Sequence, residues 1–476
     1  MRRPGLSLIV AGAALLGGLT TGEARASAIT VGAMFVPLDP VRVLDTRVGT
    51  GVPAGKPGPG SVTTVTLADH GGVPATATAV VLNVTITEAT APGYVTVYPA
   101  GGVPGTTSNL NVERAGQTVP NLVVVKLGTA GAVSIYAQNG GHLIADLLGF
   151  FDPVASATAG RFVSLPAPVR LFDTRNPDTV PIVNPGDAVN CSSFATWAEA
   201  NVWFWTYHRF GDPGKLDQNN DNIPCESLSG VPSSPRIPAD LFKLGATGTR
   251  KIPVTVNASI PGGVVPAGAS AVVLNVTATE ATAAGYVQVI PTGGNTALGA
   301  SSNLNVDKAG QTIPNLVVVP IGADGTVTFY SQTGTHLLAD VAGYFTGPSA
   351  PDSTAGLFQP LDPQRLIDTR NMGTKPGASS ITNVIAGGQM GVPANAAAVF
   401  INVTITEANG PGYVQVYPTG QGTPGNSSSL NVEAAGQTRP NAVFTGLGIG
   451  GQFTMYALVG GHLLADVAGW FSATPA

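Results

Sequence analysis

The sequence predicts an all-β chain of three tandem β-sandwich-like repeats, with a small module inserted in the second. Three observations predict it. A series of short motifs recurs three times, apolar residues alternate with period two, and turn formers abound, with 62 Gly and 39 Pro among 476 residues. At 43% hydrophobic the chain is too apolar for disorder, and its Gly and Pro content disfavours long helices. A formal charge of −5 argues against a basic groove for nucleic acid. Two cysteines exclude a cysteine-cluster metal site and allow one disulfide at most.

The N-terminus reads as an export signal. Arg2 and Arg3 precede an apolar stretch from Leu6 to Leu19, and Ala24-Arg25-Ala26 or Ala26-Ser27-Ala28 suits cleavage by a signal peptidase. The stretch is short of the ~20 residues needed to span a bilayer. A signal peptide is therefore expected over residues 1–26, and its removal takes the formal charge from −5 to −7. No later segment reads as a membrane span. The expected location is secreted or extracellular, with association to the cell surface open.

Repeats are expected over residues 35–153, 161–346 and 357–473. Each opens on Arg-x-x-Asp-Thr-Arg, ending at Arg47, Arg175 and Arg370. A strand of the Leu-Asn-Val-Thr type follows at Leu82, Leu274 and Ile401, then Gly-Tyr-Val at Gly93, Gly285 and Gly412. Leu-Asn-Val, Ala-Gly-Gln-Thr and His-Leu-x-Ala-Asp complete each unit before an aromatic pair. Leu82, Val84 and Ile86 point one way and Asn83, Thr85 and Thr87 the other, which is the strand period. About seven such runs per unit, broken by Gly, Pro and Asn, suit a sandwich or small barrel. Links at 152–160 and 346–356 read as brief spacers. The Asn-Val-Thr sequons at Asn83, Asn275 and Asn402 read as strand residues rather than glycan acceptors.

The second unit carries an insertion of about 65 residues, in a position where surface loops tolerate it. Its Asp-to-Asn span is 102 residues, against 38 and 34 in units one and three. Both cysteines and three of the four tryptophans lie within it. Thr196 and Glu199 form a capping box, Ala200, Trp203, Phe204, Tyr207 and His208 recur at helical spacing, and Gly211 offers a stop. Beyond the helix, Asp217, Asn219 and Asp221 alternate on the inner side of a tight loop, and Glu226 follows. Oxygen donors in this pattern, with the main-chain carbonyl of Ile223, suit Ca²⁺, a hard ion that takes six to eight oxygens. A disulfide between Cys191 and Cys225 would clamp the module to its loop, as suits an exported protein.

At these residues, about 188–228, the insert resembles the Excalibur domain, a small extracellular calcium-binding module with an EF-hand-like loop. The match runs from Asn190-Cys191 through Phe194 and the helix to Gly211-Asp212-Pro213, then Asp217 and Cys225-Glu226. The resemblance implies Asp217, Asp221, Cys225 and Glu226 in that family's motif. Asn219 stands where the family has Asp, and Asn222 where it has Gly. Both departures imply weaker binding. The repeats themselves resemble a domain found in tandem in bacterial secreted surface proteins, which implies little chemistry.

The repeated charged motifs invite a catalytic reading: Asp45 and Arg47 with His142 and Asp146, Asp173 and Arg175 with His336 and Asp340, Asp368 and Arg370 with His462 and Asp466. A His–Asp pair can orient a general base. No Gly-x-Ser-x-Gly elbow, His-Glu-x-x-His or phosphate loop accompanies them, however. Buried, mutually satisfied pairs closing each sandwich are the simpler expectation, and no enzyme is expected. The expected function is an extracellular protein displaying one Ca²⁺ loop on a β scaffold. The alternative is an adhesin for cell-wall glycan or another surface protein, with Tyr94, Tyr98, Tyr286 and Tyr413 as stacking platforms.

Overall fold

The computed structural model describes residues 32–473 except 106, 239 and 259. The expected signal peptide over 1–26 lies outside the described residues. Among the described residues, no helix is long and apolar enough to cross a membrane.

Each repeat contains eight strands rather than about seven. In the first they are β1 (Ala33–Asp45), β2 (Ser61–Thr66), β3 (Ala79–Thr87), β4 (Gly93–Pro99), β5 (Leu110–Val112), β6 (Val119–Lys126), β7 (Ala132–Ala137) and β8 (His142–Pro153). The three-residue β5 is too short to show an alternation in the sequence. The second repeat runs from β9 (Phe162–Asp173) through β10 (Gly248–Pro253), β11 (Ala271–Thr279), β12 (Gly285–Pro291), β13 (Leu304–Val306), β14 (Ile313–Pro320) and β15 (Thr326–Ser331) to β16 (His336–Phe345). The third comprises β17 (Phe358–Asp368), β18 (Ser380–Ile385), β19 (Ala398–Thr406), β20 (Gly412–Pro418), β21 (Leu430–Val432), β22 (Arg439–Gly446), β23 (Gln452–Ala457) and β24 (His462–Phe471).

In every repeat an inner sheet ordered first–eighth–third–sixth strand faces an outer sheet ordered second–seventh–fourth–fifth. This is the eight-stranded, double-sheet jelly roll. Alternation along β3 sends Val80, Leu82, Val84 and Ile86 into the repeat's own core. Corresponding cores fill the second and third repeats.

The other face of each inner sheet is not open to water. Ala79, Val81, Leu122 and Val124 of the first repeat join their counterparts in the other two in a shared central core. At its centre three inter-repeat phenylalanine pairs close a cycle. Phe35 meets Phe345 at 4.4 Å, Phe162 meets Phe471 at 4.6 Å and Phe358 meets Phe151 at 4.2 Å between ring centroids. The glycine before each closing aromatic pair permits this. A Cβ on Gly469 would fall 2.2 Å from the ring of Phe358, and one on Gly149 would fall 2.5 Å from that of Phe35.

The polar residues of β3, β11 and β19 face the same junctions, where Asn83, Thr85, Asn275 and Asn402 are buried. Asn315 donates to the side chain of Asn83 at 2.9 Å, Asn441 to Asn275 at 3.0 Å and Asn121 to Asn402 at 2.9 Å. In return Asn83 donates to the carbonyl of Ser302, Asn275 to Ser428 and Asn402 to Ser108. Each repeat thus offers one surface to the next and another to the previous, and the third closes on the first. That is a head-to-tail ring, as in a cyclic trimer, within a single chain. Folding it buries the sequon asparagines.

The links were expected to act as spacers, but main-chain bonds hold them. Ala157 pairs with Ser353, Gly160 donates to Thr346, and Gly356 donates to Ser472. The Arg161 guanidinium donates to the carbonyls of Pro351 and Ala355. Short links are what remains when neighbouring repeats must meet edge to edge.

Candidate functional site

The insert occupies the connection between β9 and β10. Its helix α1 (Trp197–Tyr207) has the expected capping box: Thr196 Oγ1 accepts from the Glu199 amide, and Glu199 Oε2 accepts from the Thr196 amide. One 3-10 turn follows, and Gly211 ends it at φ +82°. Ala200, Phe204, Leu216 and Cys225 form a small core of their own. Cys191 and Cys225 are joined by a disulfide with a Cα–Cα distance of 5.3 Å. Arg209 fixes the module to the repeat by donating to the carbonyls of Pro177, Asp178 and Val180.

The acidic loop is wound around Asp217, which is buried. Its carboxylate accepts from the amides of Asp221 at 3.2 Å and Asn222 at 2.7 Å. Asp221 Oδ1 in turn accepts from the amide of Ile223. Asn220 and Asn222 take left-handed backbone, at φ +59° and +66°, where Asn is the best substitute for Gly. The Cys225 amide closes the loop on the carbonyl of Leu216. Asn219 Nδ2 donates to Asp221 Oδ2 at 3.0 Å and to Glu226 Oε2 at 3.2 Å. One atom therefore touches both carboxylates, so a single cation at this depth can do the same. Turning the Asn219 amide would present Oδ1 as a third ligand. The donor set is all oxygen and fits a hard cation.

The repeated motifs make a different kind of site. A register shift in β1 sets Arg42 opposite Asp146 on β8, and Asn83 of β3 flanks Asp146 on its other side. Arg42 donates Nε to Asp146 Oδ1 at 2.5 Å and Nη1 to Asp45 Oδ2 at 3.0 Å. Arg47 closes a two-point pair on Asp45 at 2.9 and 2.7 Å. Asp340 and Asp173 share Arg170 in the same way, and Asp173 takes Arg175. Asp466 and Asp368 share Arg365, and Asp368 takes Arg370. The histidines do not meet these aspartates. His142, His336 and His462 bond through Nδ1 to Thr46, Thr174 and Thr369. Among the described residues, none of the three histidines pairs with the aspartate of its own His-Leu-x-Ala-Asp motif. Arg42, Arg170 and Arg365, which open the motif three residues before Asp45, Asp173 and Asp368, are functional members of these clusters that the Asp-Thr-Arg pattern alone does not single out.

Burial pushes Asp146, Asp340 and Asp466 above the usual carboxylate range despite their arginines. The side-chain bond from Arg47 holds Asp45 low against the opposing effect of burial. At Asp173 burial pulls upward most strongly, yet the bonds from Arg175 bring it below its ordinary value. Arg370 lowers Asp368 to about 2, burial opposing. A carboxylate whose folded pKa lies below its unfolded one stabilises the fold above the unfolded value, and that stability is lost as pH falls through the folded value. Asp368 is thus expected to cost the protein about 1–2 kcal/mol between roughly pH 4 and 2, with allowance for screening at the exposed Arg370. Urea midpoints for wild type and Asp368→Asn at pH 5 and pH 2 check this. The difference between the two proteins should shrink at the lower pH, and an unchanged difference would refute the assignment.

A third cluster arises only in the second repeat. Asp240, Glu280 and His336 bring one ligand atom each within 4.8 Å of one another, the group of this kind found among the described residues. His336 Nε2 lies 3.0 Å from Asp240 Oδ1, and Lys243 pairs with the same aspartate. In the other repeats the counterparts of Glu280 pair with lysines, Glu88 with Lys56 and Glu407 with Lys375. The corresponding lysine of the second repeat is Lys243, five residues before β10, and it pairs with Asp240 from the return limb of the insert. Because the three residues are far apart in sequence, no local signal announces them.

Of the expected tyrosine platforms, Tyr98 is only 6% exposed and belongs to the interior. Tyr94, Tyr286 and Tyr413 are half-buried at the same position of each repeat.

No family model matches the chain, and no curated protein matches it. Among solved structures it is similar at 9% identity to one described as the atomic structure of Sulfolobus Turreted Icosahedral Virus, with a TM-score of 0.17. A second, at 8% identity and the same TM-score, is described as a triple jelly roll fold and turret assembly in an archaeal virus. Both alignments cover 93% of this chain and 91% of the other. At that TM-score neither alignment carries an argument about this protein, whose fold rests on its own strand order.

Proposed function

We propose that the chain is a secreted, non-enzymatic extracellular protein whose inserted module binds one Ca²⁺. Asp217, Asn219, Asp221, the main-chain carbonyl of Ile223 and Glu226 are the ligands. The observation that carries this reading is the placement of Asp221 and Glu226 within bonding distance of one atom of Asn219. The disulfide supports an oxidising compartment. Three carboxylates and two asparagines in place of Asp and Gly put the affinity in the range of extracellular modules, about 10⁻⁴–10⁻³ M. The ion orders the loop, and the ring of jelly rolls displays it.

Calorimetric titration of the mature protein with Ca²⁺, beside an Asp217→Ala/Asp221→Ala variant, tests the proposal. One saturable site is expected, lost in the variant. At a hundredfold excess over the dissociation constant, Ca²⁺ should stabilise the module by about 2.7 kcal/mol. Absence of both heat and calcium-dependent stabilisation would remove the calcium reading and leave a disulfide-stapled helix and turn.

A further inference from the structure

The cleft where the second repeat meets the third has features that the calcium reading does not use. It holds about 280 Å³, close to the lower end of ligand pockets and suited to one sugar ring. Arg175, Thr279 and Thr312 line it from the second repeat, and Tyr413, Ser427 and Asn431 from the third. Two of these residues carry an unmet demand. Ser427 is 4% exposed, and among the described residues neither its hydroxyl nor the buried Asn431 Oδ1 has a hydrogen-bond partner.

The other two junctions show what is different here. Asn111 accepts from the hydroxyl of Ser108 at 3.1 Å, and Asn305 from that of Ser302 at 3.2 Å. Asn431 has no such bond. A buried oxygen left without a donor is destabilising, so the cleft favours a ligand that brings hydroxyls. Arg175 commits Nε and Nη2 to Asp173, while its Nη1 takes part in neither bond. Because Asp173 and Asp340 neutralise Arg175 and Arg170, the wall is polar without being strongly cationic. Tyr413 adds a half-buried aromatic ring backed by Tyr456, with centroids 6.3 Å apart. Donor-hungry oxygens beside an aromatic ring match a pyranose, which has hydroxyls at its rim and C–H groups on its face.

We propose that the cleft between the second and third repeats binds one pyranose unit of a glycan, with Tyr413 as its stacking face and Ser427 and Asn431 as acceptors for its hydroxyls. At the other two junctions the serine three residues before the asparagine, Ser108 or Ser302, occupies its oxygen, whereas Ser428 in that place here does not, so one such site per chain is expected.

The test is titration of the full mature protein with maltose and with N,N′-diacetylchitobiose, followed by saturation-transfer NMR and calorimetry. At least one sugar should bind at one site per chain. Tyr413→Ala and Ser427→Ala should each weaken it about tenfold or more, whereas Tyr94→Ala at the corresponding place in the first repeat should not. Because the Ser427 hydroxyl bonds nothing, its loss leaves the fold intact, which a thermal melt verifies. The proposal fails if neither sugar binds at tens of millimolar, if both cleft variants bind as wild type does, or if Tyr94→Ala weakens binding equally. The Asp217→Ala/Asp221→Ala variant should keep its sugar affinity, so failure of the calcium site and failure of this one are separable.

Discussion

Phe471→Ala is expected to lower the stability of the whole chain by about 3–5 kcal/mol while preserving a single unfolding transition. Phe471 is fully buried and packs against rings from all three repeats: Phe151, Phe162 and Phe358. Its removal leaves a cavity that belongs to no one repeat. The repeats are joined by phenylalanine pairs and a closed set of asparagine bonds, so none can unfold without exposing the inner faces of the other two. Scanning calorimetry checks both parts of the expectation. A ratio of calorimetric to van't Hoff enthalpy near one, at a reduced melting temperature, supports a shared core. Successive transitions, with one repeat melting early and the others unchanged, would mean that the repeats are independent domains. The insert has its own small core and disulfide, and a minor early transition from it would not disturb this reading.

Asp340→Ala is expected to cost a similar amount, about 3–5 kcal/mol, for a different reason. Asp340 is 2% exposed and takes Nε of Arg170 at 2.6 Å. Removing it takes one of two carboxylates from a half-buried guanidinium whose side chain is 29% exposed, leaving Asp173. The Ser428 amide of the third repeat also loses its acceptor, so the junction weakens along with the strand pair. Chemical denaturation of Asp340→Ala beside the double variant Asp340→Ala/Arg170→Met decides the origin of the loss. Recovery of a substantial part of the stability in the double variant would show that the stranded charge dominates. A single variant within about 0.5 kcal/mol of wild type would show that the pair contributes little, as exposed ion pairs do.

The Arg–Asp clusters show how far local sequence carries. Recurrence of Asp-Thr-Arg in an apolar, alternating setting is enough to expect a buried charge with a partner. Which partner it takes depends on a strand more than ninety residues away: Arg42 reaches Asp146 because β1 and β8 pair in a shifted register. The His–Asp spacing was legible too, but it described one strand only. A threonine from the motif at the other end of the repeat takes each histidine instead. In the insert the capping box and the stop at Gly211 were readable, because each depends on residues within one turn of chain. That Asn219 and Asp221 share the inner side of the loop was readable, but the bonds from Asn219 Nδ2 to Asp221 and Glu226 were not, because the turn of the amide depends on the folded loop.

By itself the sequence determined the all-β class, the threefold repetition, the alternation of each strand and the place of the insert. These follow from periodicity and local backbone preference, which act over a few residues. Only the tertiary structure decided that the repeats close into a ring. The polar face of β3 resembles a solvated face in sequence, yet it is buried because matching faces of the other repeats meet it. The Asp240–Glu280–His336 cluster and the unpaired Asn431 were likewise decided by packing between segments distant along the chain. Burial of one repeat's surface depends on the position of another, and no local pattern records that position.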